Sequence, residues 1–293
     1  MITICIPIYN QDVNALVDTL VEQCEAADIE FQILCFDDGS KAEIKDANKE
    51  LSLKFNVNYT ELPENHGRAK IRNKMARLAR YNYILFLDCD SAISQEDFIA
   101  NYVALVNKQH VVYGGRVYQQ EKPAKPFRLH WNYGRKVEAK PLSKRLNSPY
   151  ESFLTNNFLV TARVMKNYPF DESISSYGYE DLEWAGRLKS NNVFIHHINN
   201  PVVHLGLESG DVFLKKTITS VKTLASLHKQ GKITTSRLIS TFNSGFKRYL
   251  AQIIGVLLGV KTAEKKLVKR QGSLLLLQLY KLKVFQEAMR ESK

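Results

Sequence analysis

Four short apolar runs, spaced by helical stretches, constrain this chain more than any other feature. They are ITICIPIYN (2–10), FQILCFDDGS (31–40), NVNYTELP (56–63, the weakest) and YILFLDCD (83–90). The first, second and fourth carry little polar alternation, as strands buried on both faces do. Between them lie VNALVDTLVEQCEAA, KAEIKDANKELSL and NHGRAKIRNKMARLAR, each with a helical pattern. Strands alternating with helices at this spacing predict an α/β fold: a mostly parallel central sheet with right-handed crossovers, flanked by helices.

In sheets of this kind a ligand sits beyond the carboxyl ends of the strands. Three of the runs end in polar groups suited to that edge: Tyr9 and Asn10, then Asp37 and Asp38, then Asp88 and Asp90. Further on, residues 116–150 turn polar, basic and proline-bearing, which suggests a long loop or short helices over the sheet edge. FLTNNFLVTARVM resumes ordered structure, SYGYEDLEW opens a helix near Glu180, and VFIHHINNPVVHLG is strand-like.

Charge divides the chain. Residues 212–293 hold 17 Lys and Arg against 3 Asp and Glu, while residues 1–211 hold 24 against 27, so the net +11 arises wholly in the tail. The expected organisation is a domain over 1–211 and a basic, helical C-terminal appendage over 212–293. Such a tail suits an anionic partner. Its apolar stripes mixed with Lys and Arg fit an acidic membrane surface, or a helical hairpin packed on the domain. Nucleic acid is not expected, because the aromatics form no stacking platform beside the charges. The most apolar late run, YLAQIIGVLLGV, has 12 residues, short of the roughly 20 needed to span a bilayer. The chain opens directly on a strand pattern, so no secretory leader is expected. Cys5, Cys24, Cys35 and Cys89 show no metal-ligand spacing and read as reduced thiols of a cytoplasmic protein. A peripheral position on the inner face of the cytoplasmic membrane follows from the two readings together.

Each acidic or basic motif has a plain and a chemical reading. Asp88-Cys89-Asp90, if still in strand geometry, puts both carboxylates on one face, where they could hold Mg²⁺ or Mn²⁺ with substrate phosphates completing the shell. They could equally be solvated turn acids. Asp37-Asp38-Gly39-Ser40 fits either a ligand contact or an ordinary Asx turn. Gly67 followed by Arg68, Lys70, Arg72 and Lys74 opens a basic helix. Cations there oppose the helix dipole, a local cost that favours an anionic ligand such as phosphate. Glu180 and Asp181 suit a helix N-terminus, and either could serve as a general base. His204 ends a strand and is structural unless a metal site needs a further ligand. There is no nucleophile elbow, GxGxxG turn or phosphate-binding P-loop, which argues against the corresponding hydrolases, dehydrogenases and NTPases.

Taken in order, ITICIPIYNQ, FDDGS, NHGRAKIRN, FLDCDS, YGYEDLEWAGRL and PVVHLG resemble family 2 glycosyltransferases of the GT-A fold. SYGYEDLEWAGRL is similar to the bacterial chondroitin-polymerase-like and capsule or O-antigen branch. The likeness covers roughly residues 1–210. It implies inverting transfer from a nucleotide-diphosphate sugar, most often a UDP-sugar, to a glycan or polyprenyl-linked acceptor. It also implies roles. Pro7 and Tyr9 would line the nucleotide pocket and Asp38 would bind the base. Asn65, Arg68 and Arg72 would help to hold nucleotide and diphosphate, and Asp88 would meet the ribose or sugar. Asp90 would bind Mn²⁺ or Mg²⁺, with His204 completing the metal site. Asp181 would be the catalytic base and Glu180 would bind acceptor or sugar hydroxyls. Cys89 departs from the small residue usual between the two aspartates.

Two other functions fit parts of the pattern. A nucleotidyltransferase also joins a nucleotide-binding sheet to acidic metal ligands, but MITICIPIYNQ lacks its glycine-rich basic loop. A non-catalytic nucleotide-sugar-binding or membrane scaffold would be expected to lack the metal acid or the base, yet Asp90 and Asp181 are both present.

Overall fold

The computed structural model describes residues 1–244, Leu267 and residues 273–291. YLAQIIGVLLGV lies outside the described residues. The strands are β1 (Ile2–Ile8), β2 (Phe31–Asp37), β3 (Val57–Glu61), β4 (Tyr83–Leu87), β5 (Ser91–Ala92), β6 (Val111–Tyr113), β7 (Arg116–Tyr118), β8 (Asn157–Thr161), β9 (His196–His197) and β10 (Val202–His204). The α-helices are α1 (Asn14–Ala26), α2 (Ala42–Asn48), α3 (Arg68–Leu78), α4 (Phe98–Val103), α5 (Arg128–Tyr133), α6 (Leu142–Leu146), α7 (Ala162–Asn167), α8 (Glu180–Ser190), α9 (Gly210–Lys229), α10 (Arg237–Asn243) and α11 (Leu274–Arg290).

The main sheet has the order β3-β2-β1-β4-β8-β6-β9. Strands β1 to β4 are mutually parallel where they pair, and β8 runs antiparallel to both β4 and β6. The expected mostly parallel sheet is therefore present, with one reversed strand in its middle. Strand alternation divides its side chains between two cores. Ile2, Ile4, Ile6, Ile8, Ile33, Cys35, Leu85 and Leu87 share one cluster with Leu16, Val17 and Leu20 of α1. Cys5, Leu34, Phe36, Ile84, Phe86 and Phe158 share the other with Ile71 and Met75 of α3 and with Trp184. A strand apolar on both faces is what two cores require, and this is why the early runs carry so few polar residues. All four cysteines are free thiols.

The chain divides into two compact units. One comprises residues 1–117, 140–175 and 184–206, and the other 118–139, 176–183 and 207–293. The first holds the main sheet. A second sheet, β5-β10-β7, includes the antiparallel register His204↔Ser91 and Val203↔Ala92. In the second unit α9 packs beside α11. Lys229 Nζ donates to the Ala288 carbonyl (2.8 Å) and the Glu291 carbonyl (2.6 Å). Buried positions Leu277, Tyr280, Lys281, Val284, Phe285 and Ala288 form one stripe of α11, so this stripe is already occupied by protein packing. Among the described residues no helix is long and apolar enough to cross a membrane.

Candidate active site

The parallel register brings Ile8, Asp37 and Glu61 level with one another at the carboxyl ends of β1, β2 and β3. Beyond these ends the turns lock together. Asn10, at φ 54°, receives Ser40 Oγ as acceptor for its backbone N–H at 2.7 Å and accepts from Lys41 N at 3.0 Å. Asp37 Oδ1 accepts from Ser40 N at 2.7 Å. Asp38 is 5% exposed, and its two oxygens accept from His66 N (2.7 Å) and Gly67 N (3.0 Å). It thus fixes the turn that opens α3, leaving each oxygen a second lone pair. Gly39, at φ 82°, lets that turn approach, since a Cβ there would lie 2.9 Å from Asn65 N. Pro7 is half-buried in β1, while Tyr9, Asn65 and Arg68 are exposed.

The two aspartates after β4 part company. The strand ends at Leu87, so Asp88 and Asp90 lie in the following turn and do not share a strand face. Asp88 is held between two guanidiniums: Arg72 Nη2 is 2.8 Å from Oδ1, and Arg116 Nη2 is 3.3 Å from Oδ2. Arg72 itself is 2% exposed, which a lone cation would not tolerate without such a partner. Its burial departs from a solvated basic helix face. Arg116, on β7, is a member of the site that the sequence reading missed. Its only signal was a basic residue directly after Gly114-Gly115.

Asp90 turns to other partners. The β5–β10 pairing places His204 Nδ1 3.3 Å from Asp90 Oδ1, and the Asp90 carbonyl accepts from Leu205 N at 2.8 Å. A Cβ on Gly206 would lie 2.3 Å from Asp90 Oδ2. Burial alone would raise the Asp90 carboxyl. The His204 contact and the charges of His204, Arg116 and Arg68 outweigh it and hold the group at about 2, so it is ionised at neutral pH. The neighbouring Cys89 thiol is pushed up to about 12, first by burial and then by Asp90, so it remains a neutral thiol.

Among the described residues no group of three or more His, Cys, Asp and Glu could by itself hold a metal ion. The residues present nevertheless fit a partial site. Asp90 Oδ1 is buried and takes no well-directed hydrogen bond from the described residues. It faces an imidazole, and Gly206 lets the chain approach the carboxylate closely. Two such ligands suit Mg²⁺ or Mn²⁺, hard ions that keep waters and substrate phosphates for the rest of their shell.

The second unit carries the other expected pair. Glu180 and Asp181 form the first turn of α8 with Glu183, where the helix dipole favours acids. Asp181 Oδ1 accepts from Leu182 N at 2.7 Å. Glu180 is 5% exposed. Tyr179 stands just before them with φ 68° and Gly178 with φ 97°, so two successive left-handed residues lead into the helix.

The family model for "Glycosyl transferase family 2" matches residues 3–171. The chain belongs to glycosyl transferase family 2. The matched residues contain the Asp38 turn, the Arg72–Asp88 pair and Asp90, and they stop short of Glu180 and Asp181. Among curated family relatives, chondroitin synthase of Escherichia coli is 33% identical over 93 residues, which is 31% of this chain and 13% of that protein. This chain thus spans a small fraction of that synthase's length. The mannosyltransferase PcManGT from Pyrobaculum calidifontis, solved with GDP-Man and Mn²⁺, aligns with a TM-score of 0.61 at 14% identity, covering 100% of this chain and 88% of that one. TarS 1–349 of S. aureus, solved with UDP-GlcNAc, aligns with a TM-score of 0.54 at 16% identity, covering 98% and 90%. At these identities the likeness is one of fold, and it is the GT-A fold expected from the sequence.

Proposed function

We propose that this chain is an inverting glycosyltransferase that moves a sugar from a nucleotide-diphosphate sugar, a UDP-sugar, to a hydroxyl of a glycan or lipid-linked acceptor. The observation that carries the reading is the cluster on one sheet edge: Asp88 between Arg72 and Arg116, with Asp90 ionised beside His204. A nucleoside diphosphate leaving group gathers negative charge on its oxygens, and fixed cations aimed at that charge stabilise it. Arg68 and Arg116 are the cations of this chain suited to that task. Asp88, oriented by its two arginines, is suited to accept hydrogen bonds from ribose or sugar hydroxyls. Asp38 retains acceptor capacity for a base N–H. Asp90 and His204 are the residues that would hold Mn²⁺ or Mg²⁺. When bound, the ion would supply charge neutralisation at the diphosphate. Asp181 is assigned as the base that takes the acceptor hydroxyl proton as the oxygen attacks the anomeric carbon and the C–O bond to the diphosphate breaks. Glu180 is assigned to acceptor or sugar hydroxyls. The basic tail is assigned to an anionic membrane surface, where a lipid-linked acceptor would be presented.

The test is nucleoside diphosphate release from a panel of UDP- and GDP-sugars, with Mn²⁺, with Mg²⁺ and with EDTA. Turnover of one UDP-sugar that EDTA abolishes and Asp181→Asn lowers at least 10³-fold is expected. Preference for a GDP-sugar, or full turnover in Asp181→Asn, would overturn the donor or the base assignment respectively.

A further inference from the structure

The turn that presents Glu180 and Asp181 is supported by the C-terminal region, beyond the residues that the family model matches. Lys216, Ser220 and Thr223 lie on one stripe of α9, at the i, i+4, i+7 spacing of a helix face. All three meet the turn. Lys216 Nζ sits 5.4 Å from the Tyr177 ring centroid. Ser220 faces Gly178 so closely that a Cβ on the glycine would be 2.6 Å from the serine Cβ. The buried Thr223 hydroxyl is 3.1 Å from the Tyr177 carbonyl and 3.1 Å from the Thr219 carbonyl, so its single proton is shared between them.

The α11 helix brings a buried cation into the same unit. Lys281 is only 9% exposed, and its Nζ lies 3.4 Å from Tyr133 Oη and 5.3 Å from that ring's centroid. It also lies within electrostatic range of Tyr179, whose phenol it pulls down against the larger upward push of burial. Left-handed backbone at a tyrosine is unfavourable and persists where the surroundings impose it. Here the surroundings include the face of α9 that carries Ser220 and Thr223.

We infer that Ser220 and Thr223 are positioning residues: they hold the Tyr177–Tyr179 turn in the conformation that aims Asp181 at the acceptor hydroxyl. The tail is then part of the catalytic apparatus as well as a surface. This rests on the reading of Asp181 as the base. A small misplacement of a reacting group can cost up to 100-fold in rate, whereas donor affinity should not change.

The experiment compares Thr223→Val with Thr223→Ser, which keeps the hydroxyl, both in the full chain. Steady-state kcat, UDP affinity by calorimetry and thermal melting are measured for each. Expected are a fall in kcat of at least 10-fold in Thr223→Val, unchanged UDP affinity, and near wild-type kcat in Thr223→Ser. Wild-type kcat in Thr223→Val would overturn the inference. So would a loss of kcat matched by loss of UDP affinity, or one equal in Thr223→Val and Thr223→Ser. Asp181→Asn serves as the control. An active Asp181→Asn removes the base reading itself, whereas an inactive one beside a normal Thr223→Val removes only the role given to the tail.

Discussion

Gly206 faces Asp90 at a distance only a glycine can occupy: an added Cβ would come within 2.3 Å of Asp90 Oδ2. The constraint is one of space, since Gly206 does not sit in left-handed backbone. Alanine there should cost the fold little but displace the carboxylate from His204. Disturbing the support of a metal ligand typically costs 10–100-fold in affinity or activity. Gly206→Ala is therefore expected to need at least 10-fold more Mn²⁺ for half-maximal turnover, with a melting temperature within a few degrees of wild type. An unchanged Mn²⁺ titration would show that Asp90 is not the ligand.

The two arginines on Asp88 should separate by experiment. Arg72 is almost fully buried and Arg116 less so, with side-chain exposures of 3% and 14%. Removing one partner of a buried pair strands the other charge. Because Asp88 is partly exposed, Arg72→Met should destabilise the fold by about 2 kcal/mol in urea denaturation. Arg116→Gln should cost under about 1 kcal/mol while raising the donor KM several-fold. In an Asp88→Asn background both penalties should shrink, as a double-mutant cycle measures. Penalties that add in full would mean that neither arginine acts through Asp88.

Stability should fall with acid through His197. This imidazole is 3% exposed, with Nδ1 3.2 Å from Arg145 Nη1 and Nε2 3.0 Å from the Pro149 carbonyl. A guanidinium only donates, so Nδ1 accepts and the Nε2–H donates to Pro149. Burial, then the Arg145 charge, pushes the pKa down to about 4. The unfolded chain binds the proton first as pH drops below about 6.5. Stability is therefore whole above that value and is lost progressively down to pH 4, by about 3 kcal/mol. Urea denaturation at pH 7.5 and pH 4.5 measures the loss, and His197→Gln should flatten it. An equally steep profile in the variant would assign the acid sensitivity elsewhere.

Most of the framework was legible because the early strands are long and apolar on both faces: β1, β2 and β4 lie where their isoleucine, leucine and phenylalanine runs suggested. The reversal of β8 was not, since strand direction is set by pairing between distant segments and leaves no local mark. Strands of two or three residues, such as β5 and β9, carry no periodicity to read. In the candidate site, the sequence names residue types, while their partnerships depend on the folded chain. Asp88 and Asp90 look equivalent by spacing, yet the strand ends at Leu87, before either of them, so they do not share a face. Arg116 and Gly206 act through approach distances that only the folded chain creates. Likewise, charge alone set a boundary at 211, whereas the compact unit around the tail also takes in 118–139 and 176–183.

The β5–β10 ribbon has a consequence in time. Asp90 leaves the ribosome with the first sheet strands, but His204 arrives only after the rest of the first unit has been made. Because β10 closes that unit, the Asp90–His204 contact can form only after residue 204 has been made. Domains fold largely in the order they emerge. On the reading proposed for this pair, the donor half of the site would be the last part of the first unit to be completed.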